Sequence, residues 1–305
     1  MERFTLLSSD RSTKLAAYIW TPEKPRAMVQ LAHGMCEHLP RYAEFAEYLT
    51  AHGFLVFGHD HLGHGSTAQN ADGLGFIASN DGAEHLVEDV HLLSLHMKEK
   101  HPHLPLVLFG HSMGSFIVRE VLARYGNDYA ASVICGTGGP ETPAGAGKLL
   151  AKLMMLFRGK RYRSVLLKGI AFAGYNKKCG KGCDPNAWLS RDGEVVSRYH
   201  DDPLCGYVFT LSAYHDLFTL VENVSRRDWA GRLPKELPLL LISGEDDPVG
   251  GFGKGVRAVE KRLRAVGISD LTAILYPNMR HEILNEIEHE TVWSDIKQWL
   301  EQKLP

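Results

Sequence analysis

Short, uninterrupted apolar runs alternate with longer segments of helical spacing along most of the chain. Two early segments, 4–7 and 14–20, alternate apolar and polar residues, and we expect an antiparallel pair of strands there. The next two runs, 27–32 and 54–57, do not alternate, which is typical of strands buried on both faces. Helical spacing over 42–52 separates these runs. The first part of the chain therefore predicts strands joined by a helix.

The same order continues with a helix over 83–100, a buried strand over 105–109, a helix after Gly114 and a strand over 131–135. Strand, helix and strand in alternation imply right-handed crossovers within one mainly parallel sheet. Helices joined in this way cover both faces of such a sheet. We therefore predict an α/β fold.

Between residues 140 and 219 the alternation breaks into a basic, glycine-punctuated stretch with apolar patches. We interpret this stretch as an inserted helical cap between two parts of one core, 1–139 and 220–305. An ordinary run of connecting helices is the alternative. The βα pattern resumes only after the stretch, with strands at 237–242 and 271–276 and helices at 254–265 and 291–300.

The pentapeptide from Gly110 to Gly114 carries the first chemical signal, because its sequence Gly-His-Ser-Met-Gly fits G-x-S-x-G. It follows the strand at 105–109 and precedes a helix, which is the context of a nucleophile elbow. The glycines allow a tight turn that lifts the serine oxygen above the sheet edge, beside the N–H groups of the helix N-terminus. We therefore predict that Ser112 is the nucleophile of a serine hydrolase.

A serine attacks only when a base takes its proton, and the base needs a carboxylate to orient it. In folds with this elbow the acid and then the histidine follow the serine, each after a strand. His281 follows the strand at 271–276 and fits the base. Three adjacent carboxylates follow the strand at 237–242, and chemistry alone does not choose among them: Glu245, Asp246 and Asp247.

The oxyanion of an acyl-transfer intermediate needs two N–H donors, one after the nucleophile and one after an early strand. Met113 provides the first, and Met35, just beyond the strand at 27–32, provides the second. Both donors are backbone groups.

The chain has sixteen histidines, and a metal site is the competing interpretation of five that cluster in its first third: His33, His38, His59, His61 and His64. The segment from His59 to His64 approaches the H-x-H-x-D-H pattern of binuclear metallohydrolases, but Gly63 stands where the aspartate belongs. We therefore expect no metal ion and no other cofactor.

Taken together, these motifs resemble the monoacylglycerol lipases and bacterial lysophospholipase-like hydrolases, a family with serine aminopeptidase-like members and the α/β-hydrolase fold. The resemblance runs through segments 33–38, 41–42, 60–65, 110–114 and 244–247 and through His281. It implies that Asp247, the aspartate of G-x-x-D, completes a triad with Ser112 and His281. It also implies that the Met35 and Met113 amides form the oxyanion hole and that His64 is structural.

The resemblance implies hydrolysis of monoacylglycerols or lysophospholipids, with transient membrane contact through the cap. A short-chain carboxylesterase is an alternative. An aminopeptidase-like amidase is another, since acids in the cap could bind an amine: Asp184, Asp192 and Glu194. A binding module that has lost catalysis does not fit the intact set of site residues.

Composition limits the kinds of binding partner that we expect. The chain has 305 residues, 44% of them hydrophobic, and a net charge of −2, so we expect no nucleic-acid binding. The start shows no leader pattern, and five scattered cysteines suit free thiols, so we expect a cytoplasmic location. The sequence predicts neither the acyl chain length of the substrate nor the oligomeric state of the protein.

Overall fold

A single sheet organises the chain in the computed structural model, which describes residues 1–140 and 144–304. Eight strands form the sheet within these residues. In chain order they are β1 (Glu2–Leu7), β2 (Lys14–Trp20), β3 (Ala27–Ala32), β4 (Phe54–His59), β5 (Leu106–His111), β6 (Ala131–Cys135), β7 (Leu239–Gly244) and β8 (Leu271–Tyr276).

The strands lie in the order β1, β2, β4, β3, β5, β6, β7, β8. β2 pairs antiparallel with both β1 and β4, and the other neighbours are parallel. Every residue of β3, β4, β5, β6 and β7 is buried. This burial on both faces explains why their sequences do not alternate.

Helices cover both faces of the sheet. One face is covered by α1 (Ala43–Ala51) and α9 (His289–Lys303), and the other by α2 (Gly82–Lys100), α3 (Met113–Tyr125) and α8 (Lys254–Ala265). Two separate apolar cores result, one on each side. The predicted α/β-hydrolase arrangement is confirmed.

Five predicted elements have the observed bounds, namely β2, β3, β6, α8 and β8. Two differences have physical causes. β5 continues to His111 because the ladder with β6 extends to the pair His111 and Cys135, so a polar side chain does not end the strand. β7 begins at Leu239 and not at 237, since Pro238 has no N–H to donate to the ladder.

The predicted cap region contains four helices in its described part: α4 (Ala144–Arg158), α5 (Val165–Ala171), α6 (Gly193–Asp201) and α7 (Leu211–Ser225). α4 packs against α7. α7 runs past residue 219, and its Leu220 and Val224 join the core that also contains α2 and α3. The cap limits of 140 and 219 stay a prediction, and residues 141–143 lie outside the described ranges.

Among the helices within the described ranges, none has the length and apolarity that a bilayer crossing requires. All five cysteines are free thiols.

Candidate active site

Ser112 occupies a strained turn between β5 and α3. Its backbone has φ 55° and ψ −121°, a conformation that costs an L-residue about 1–3 kcal/mol. A Cβ on Gly114 would lie 2.0 Å from the carbonyl oxygen of Ala32, and one on Gly110 would lie 2.5 Å from that of Gly114. Only glycine therefore fits on either side of Ser112, as the motif predicted.

Asp247 and His281 form a buried pair, although they lie on loops after different strands. The Nδ1 atom of His281 is 2.9 Å from Oδ1 of Asp247, and the two side chains are 2% and 0% exposed. The Ser243 hydroxyl and the Val249 N–H also donate to Asp247, at 2.9 and 2.8 Å. The histidine therefore meets a carboxylate whose orientation is fixed on three sides.

Burial by itself raises the pKa of the Asp247 carboxyl, because it disfavours the charged form. Attraction to His281 and the three hydrogen bonds outweigh burial and hold the pKa below its ordinary value. Asp247 is therefore ionised and accepts the Nδ1 proton of His281. Nε2, the opposite ring nitrogen, is then the one free to act as a base.

The two other carboxylates in the acidic turn differ from Asp247 in surroundings. Asp246 forms an ion pair with Lys178 of the cap region. Glu245 and Asp246 are both partly exposed, whereas Asp247 is buried. The geometry thus favours the aspartate that the family resemblance selects.

The loop after β3 passes directly beside the elbow. A Cβ on Gly34 would lie 3.0 Å from Cβ of Ser112. Met35 follows this glycine, and Met113 is the first residue of α3, where backbone N–H groups have no partner within the helix. The loop that contains Met35 thus lies beside Ser112, and Met113 directly follows Ser112 in the chain.

Sequence reasoning missed a buried ionic network beside these loops. Arg41 contacts Oε2 of Glu37 at 2.5 Å and both carboxylate oxygens of Glu282 at 2.8 Å. Glu282 directly follows His281, so the network joins the loop after β3 to the loop that carries His281. The spacing of Glu37 and Arg41 was the available signal, since residues four apart can pair on a helical turn.

Sequence reasoning also missed Trp188, a residue of the predicted cap region, whose ring lies 5.1 Å from that of His281, centroid to centroid. The backbone N–H of His281 donates to the backbone carbonyl of Trp188 at 3.3 Å. The backbone N–H of Glu282 donates to the carbonyl of Leu189 at 2.7 Å. The cap region therefore forms one wall of the site. No spacing pattern in the segment around Trp188 indicates this contact.

The competing metal interpretation concerns five histidines, all of which are buried: His33, His38, His59, His61 and His64. Burial lowers the pKa of His59 and of His64 to about 4. Within the described ranges, one group of three potential ligand side chains converges, and it includes His38 but none of the other four histidines: His38, Asp202 and Cys205. The geometry thus fits packing roles for His59, His61 and His64.

Known proteins resemble this chain along nearly all of its length. The monoacylglycerol lipase of Mycolicibacterium smegmatis is 32% identical over 287 residues, which cover 92% of this chain and 91% of that protein. The monoglyceride lipase of Homo sapiens is 27% identical over 313 residues, covering 98% and 90%. The crystal structure of a thermostable carboxyl esterase from Bacillus coagulans in complex with glycerol superposes with a TM-score of 0.92 at 29% identity, covering 99% of this chain and 98% of that one.

The family model for the serine aminopeptidases S33 matches residues 23–288. This range spans the elbow, the acidic turn and His281. The chain therefore belongs to the serine aminopeptidase S33 family of α/β hydrolases.

Proposed function

We propose that this protein is a serine hydrolase that cleaves the carboxylic esters of monoacylglycerols or lysophospholipids through an acyl-enzyme. The observation that carries the proposal is the buried Asp247–His281 pair at the same sheet edge as the strained Ser112. Relatives named monoacylglycerol lipase, monoglyceride lipase and carboxyl esterase support the ester hydrolase class.

The reaction has two similar halves. Oγ of Ser112 attacks the ester carbonyl while Nε2 of His281 takes its proton, and Asp247 stabilises the resulting imidazolium. The Met35 and Met113 N–H groups hold the oxyanion, and losing one such donor costs on the order of 10² to 10³ in rate. His281 then protonates the departing alcohol, and water repeats the steps on the acyl-enzyme.

The outer face of α4 and α5 favours a lipid substrate. Leu156, Phe157 and Val165 are 74%, 86% and 73% exposed, and Leu166 and Ile170 are also exposed. Soluble proteins rarely present adjacent exposed apolar side chains like these without a binding role. We therefore propose that this apolar patch docks transiently on lipid surfaces, where such substrates are found.

An amidase is less well supported. Asp192 accepts the Glu194 N–H at the start of α6, and Asp184 accepts the Asn186 N–H. The Glu194 side chain is exposed to solvent. The three acids suggested for binding an amine are thus used in local turns or face water. The carboxyl esterase relative keeps a short-chain esterase as the second candidate.

The test compares wild type, Ser112→Ala and Ser132→Ala on a monoacylglycerol and on nitrophenyl butyrate. Ser132 is the matched control, since it is a buried serine of the adjacent strand that bonds the Leu108 carbonyl. We expect Ser112→Ala to lose turnover of both esters and Ser132→Ala to keep it. Turnover of the short ester alone would favour the esterase, and turnover that survives Ser112→Ala would refute the proposal.

Lipid docking is tested by sedimentation with phosphatidylcholine vesicles. We expect the double variant Leu156→Ser, Phe157→Ser to lose vesicle binding and to keep turnover of nitrophenyl butyrate. The matched control is Leu92→Ser, Leu95→Ser on α2, where both leucines are also exposed. Equal binding by the two double variants would contradict docking through α4.

A further inference from the structure

His111, the second residue of the elbow motif, is buried and contacts both loops that the proposed chemistry needs. Its Nε2 atom is 3.2 Å from the carbonyl oxygen of His281, and the two rings lie 4.7 Å apart, centroid to centroid. Its Nδ1 atom is 2.8 Å from the Tyr42 hydroxyl. The ring therefore bridges the elbow to the histidine loop on one side and to the segment after β3 on the other.

The protons in these contacts can be assigned one by one. The Tyr42 hydroxyl has one proton, which it donates to Oε1 of Glu37 at 2.8 Å. Nδ1 of His111 must then carry a proton to donate to the Tyr42 oxygen. A carbonyl oxygen only accepts, so Nε2 must carry a proton to donate to His281. These contacts are all hydrogen bonds only if His111 is doubly protonated.

Glu37 provides the compensating negative charge. Its Oε1 atom is 3.5 Å from Nδ1 of His111 and also accepts the Gly34 N–H at 2.5 Å. Burial opposes charge on His111, but the Glu37 carboxylate outweighs burial and raises the pKa of His111. The same interactions, with Arg41, hold the pKa of Glu37 well below its ordinary value despite burial.

The ionisable groups around the His111 ring come from every element packed on it. They are Glu37, Arg41 and Tyr42 after β3, Cys135 on β6, and His281 and Glu282 after β8. Two carboxylates and one guanidinium among these leave one negative charge, which a protonated His111 neutralises.

We infer that Glu37 and His111 are positioning residues, with His111 carrying both ring protons, that lock the Gly34–Met35 loop and the His281 loop to the elbow. The inference rests on the proposed function. Glu37 holds the N–H next to the Met35 donor, and His111 holds the backbone of the base itself. Neither residue touches the reacting atoms, so each acts through the loops it fixes.

Loss of this lock should lower kcat and spare KM, because oxyanion contacts and proton transfer act in the transition state. A misplacement of about 1 Å in a catalytic group costs on the order of 10² in rate. The expected effect of Glu37→Gln is therefore a fall in kcat of about 10²-fold, since one amide oxygen replaces two carboxylate oxygens that serve three donors.

The matched control is Asp89→Asn. Asp89 is a buried carboxylate that bonds Ser8 and Ser9, on the far side of the sheet from Arg41. We expect both variants to lose thermal stability and only Glu37→Gln to lose kcat in nitrophenyl butyrate hydrolysis. An equal kcat in both variants, with wild type active, would overturn the inference while leaving the proposed function intact.

Two substitutions of His111 test its two ring hydrogen bonds separately. Glutamine places an N–H near the position of Nε2, whereas asparagine places one near Nδ1. If the bond to the His281 carbonyl matters, His111→Gln keeps more kcat than His111→Asn at unchanged KM. The reverse order would contradict the role assigned to Nε2.

The proton assignment is measured without any substrate. In ¹⁵N-histidine-labelled protein, ring ¹⁵N shifts distinguish a doubly protonated from a neutral ring, and His111→Gln identifies the signal. We expect an imidazolium at pH 7.5, and a neutral ring there would overturn the inference. This readout stands even if wild type cleaves no ester, an outcome that would refute the proposed function alone.

Discussion

Two buried histidine regions lie near the carboxyl edge of the sheet. They differ in whether a carboxylate lies beside the imidazole ring. In the first, His111 meets the carboxylate of Glu37, and both ring nitrogens have partners. In the second, the histidine cluster of His33, His59, His61 and His64, both ring nitrogens of His59 and of His61 have no hydrogen-bond partner among the described residues. The fold thus buries the His111 ring beside a carboxylate and buries the His59 and His61 rings without a hydrogen-bond partner.

The consequence is that the pKa values of these histidines shift in opposite directions. Burial lowers the pKa of His59 and His64 to about 4, so both are neutral at pH 7. Glu37 overcomes burial and raises the pKa of His111. A carboxylate beside a buried histidine therefore reverses the direction in which burial shifts its pKa.

Breaking the ionic network should have the largest effect. Arg41→Met leaves the Glu37 and Glu282 carboxylates buried without their shared guanidinium. We expect a loss of about 3–5 kcal/mol in the free energy of unfolding, measured by urea titration. Arg226→Met, which removes an exposed pair with Asp228, should cost about 1 kcal/mol or less. Equal losses in the free energy of unfolding would mean that the buried ion pairs of Arg41 contribute no more than the exposed pair of Arg226.

Acid should destabilise the protein through the histidine cluster. His59 binds a proton more readily in the unfolded chain, at an ordinary pKa of 6.5, than in the fold, at about 4. Its contribution to stability is complete above pH 6.5 and is lost as the pH falls towards 4, by roughly 3 kcal/mol. We expect the urea midpoint of His59→Leu to fall less than that of wild type between pH 6.5 and pH 4. The exposed control, His103→Leu, should leave the fall unchanged.

Alkali should act on His111 in the opposite sense, with the smallest effect. The pKa of His111 is raised in the fold, so its contribution is complete below the ordinary value and is lost as the pH rises through the folded value. Thermal melts above pH 7 should therefore decline less steeply for His111→Gln than for wild type. Parallel declines would show that His111 is not charged in the fold.

Much of the fold was predictable because the buried strands read directly as short apolar runs. The predicted fold and family are confirmed. Ser112 and His281 were found by chain order and by their places after strands, because each depends on its own flanking residues. The same order located the acidic turn, but only the family resemblance selected Asp247 among its three carboxylates. The catalytic roles of all three residues stay a proposal.

The ionic network could not be predicted in the same way. Arg41 and Glu282 lie 241 positions apart, and nothing in the spacing of either predicts that they meet. Trp188 likewise reaches His281 only because the cap region folds back on the core. Such contacts depend on tertiary packing, which one sequence without relatives does not record.

The hydrogen bonds from His281 and Glu282 to the Trp188 and Leu189 carbonyls constrain how this scaffold can be re-engineered. Arg280 adds two more, to the Ala187 and Ser190 carbonyls at 2.7 and 3.0 Å. A chimera that imports a relative's residues over the whole range 140–219 would also replace the backbone that holds His281. A graft confined to 144–180 would exchange α4 and α5 and retain the recipient's own 187–190 segment. These two helices can therefore be exchanged without altering the backbone contacts of the His281 loop.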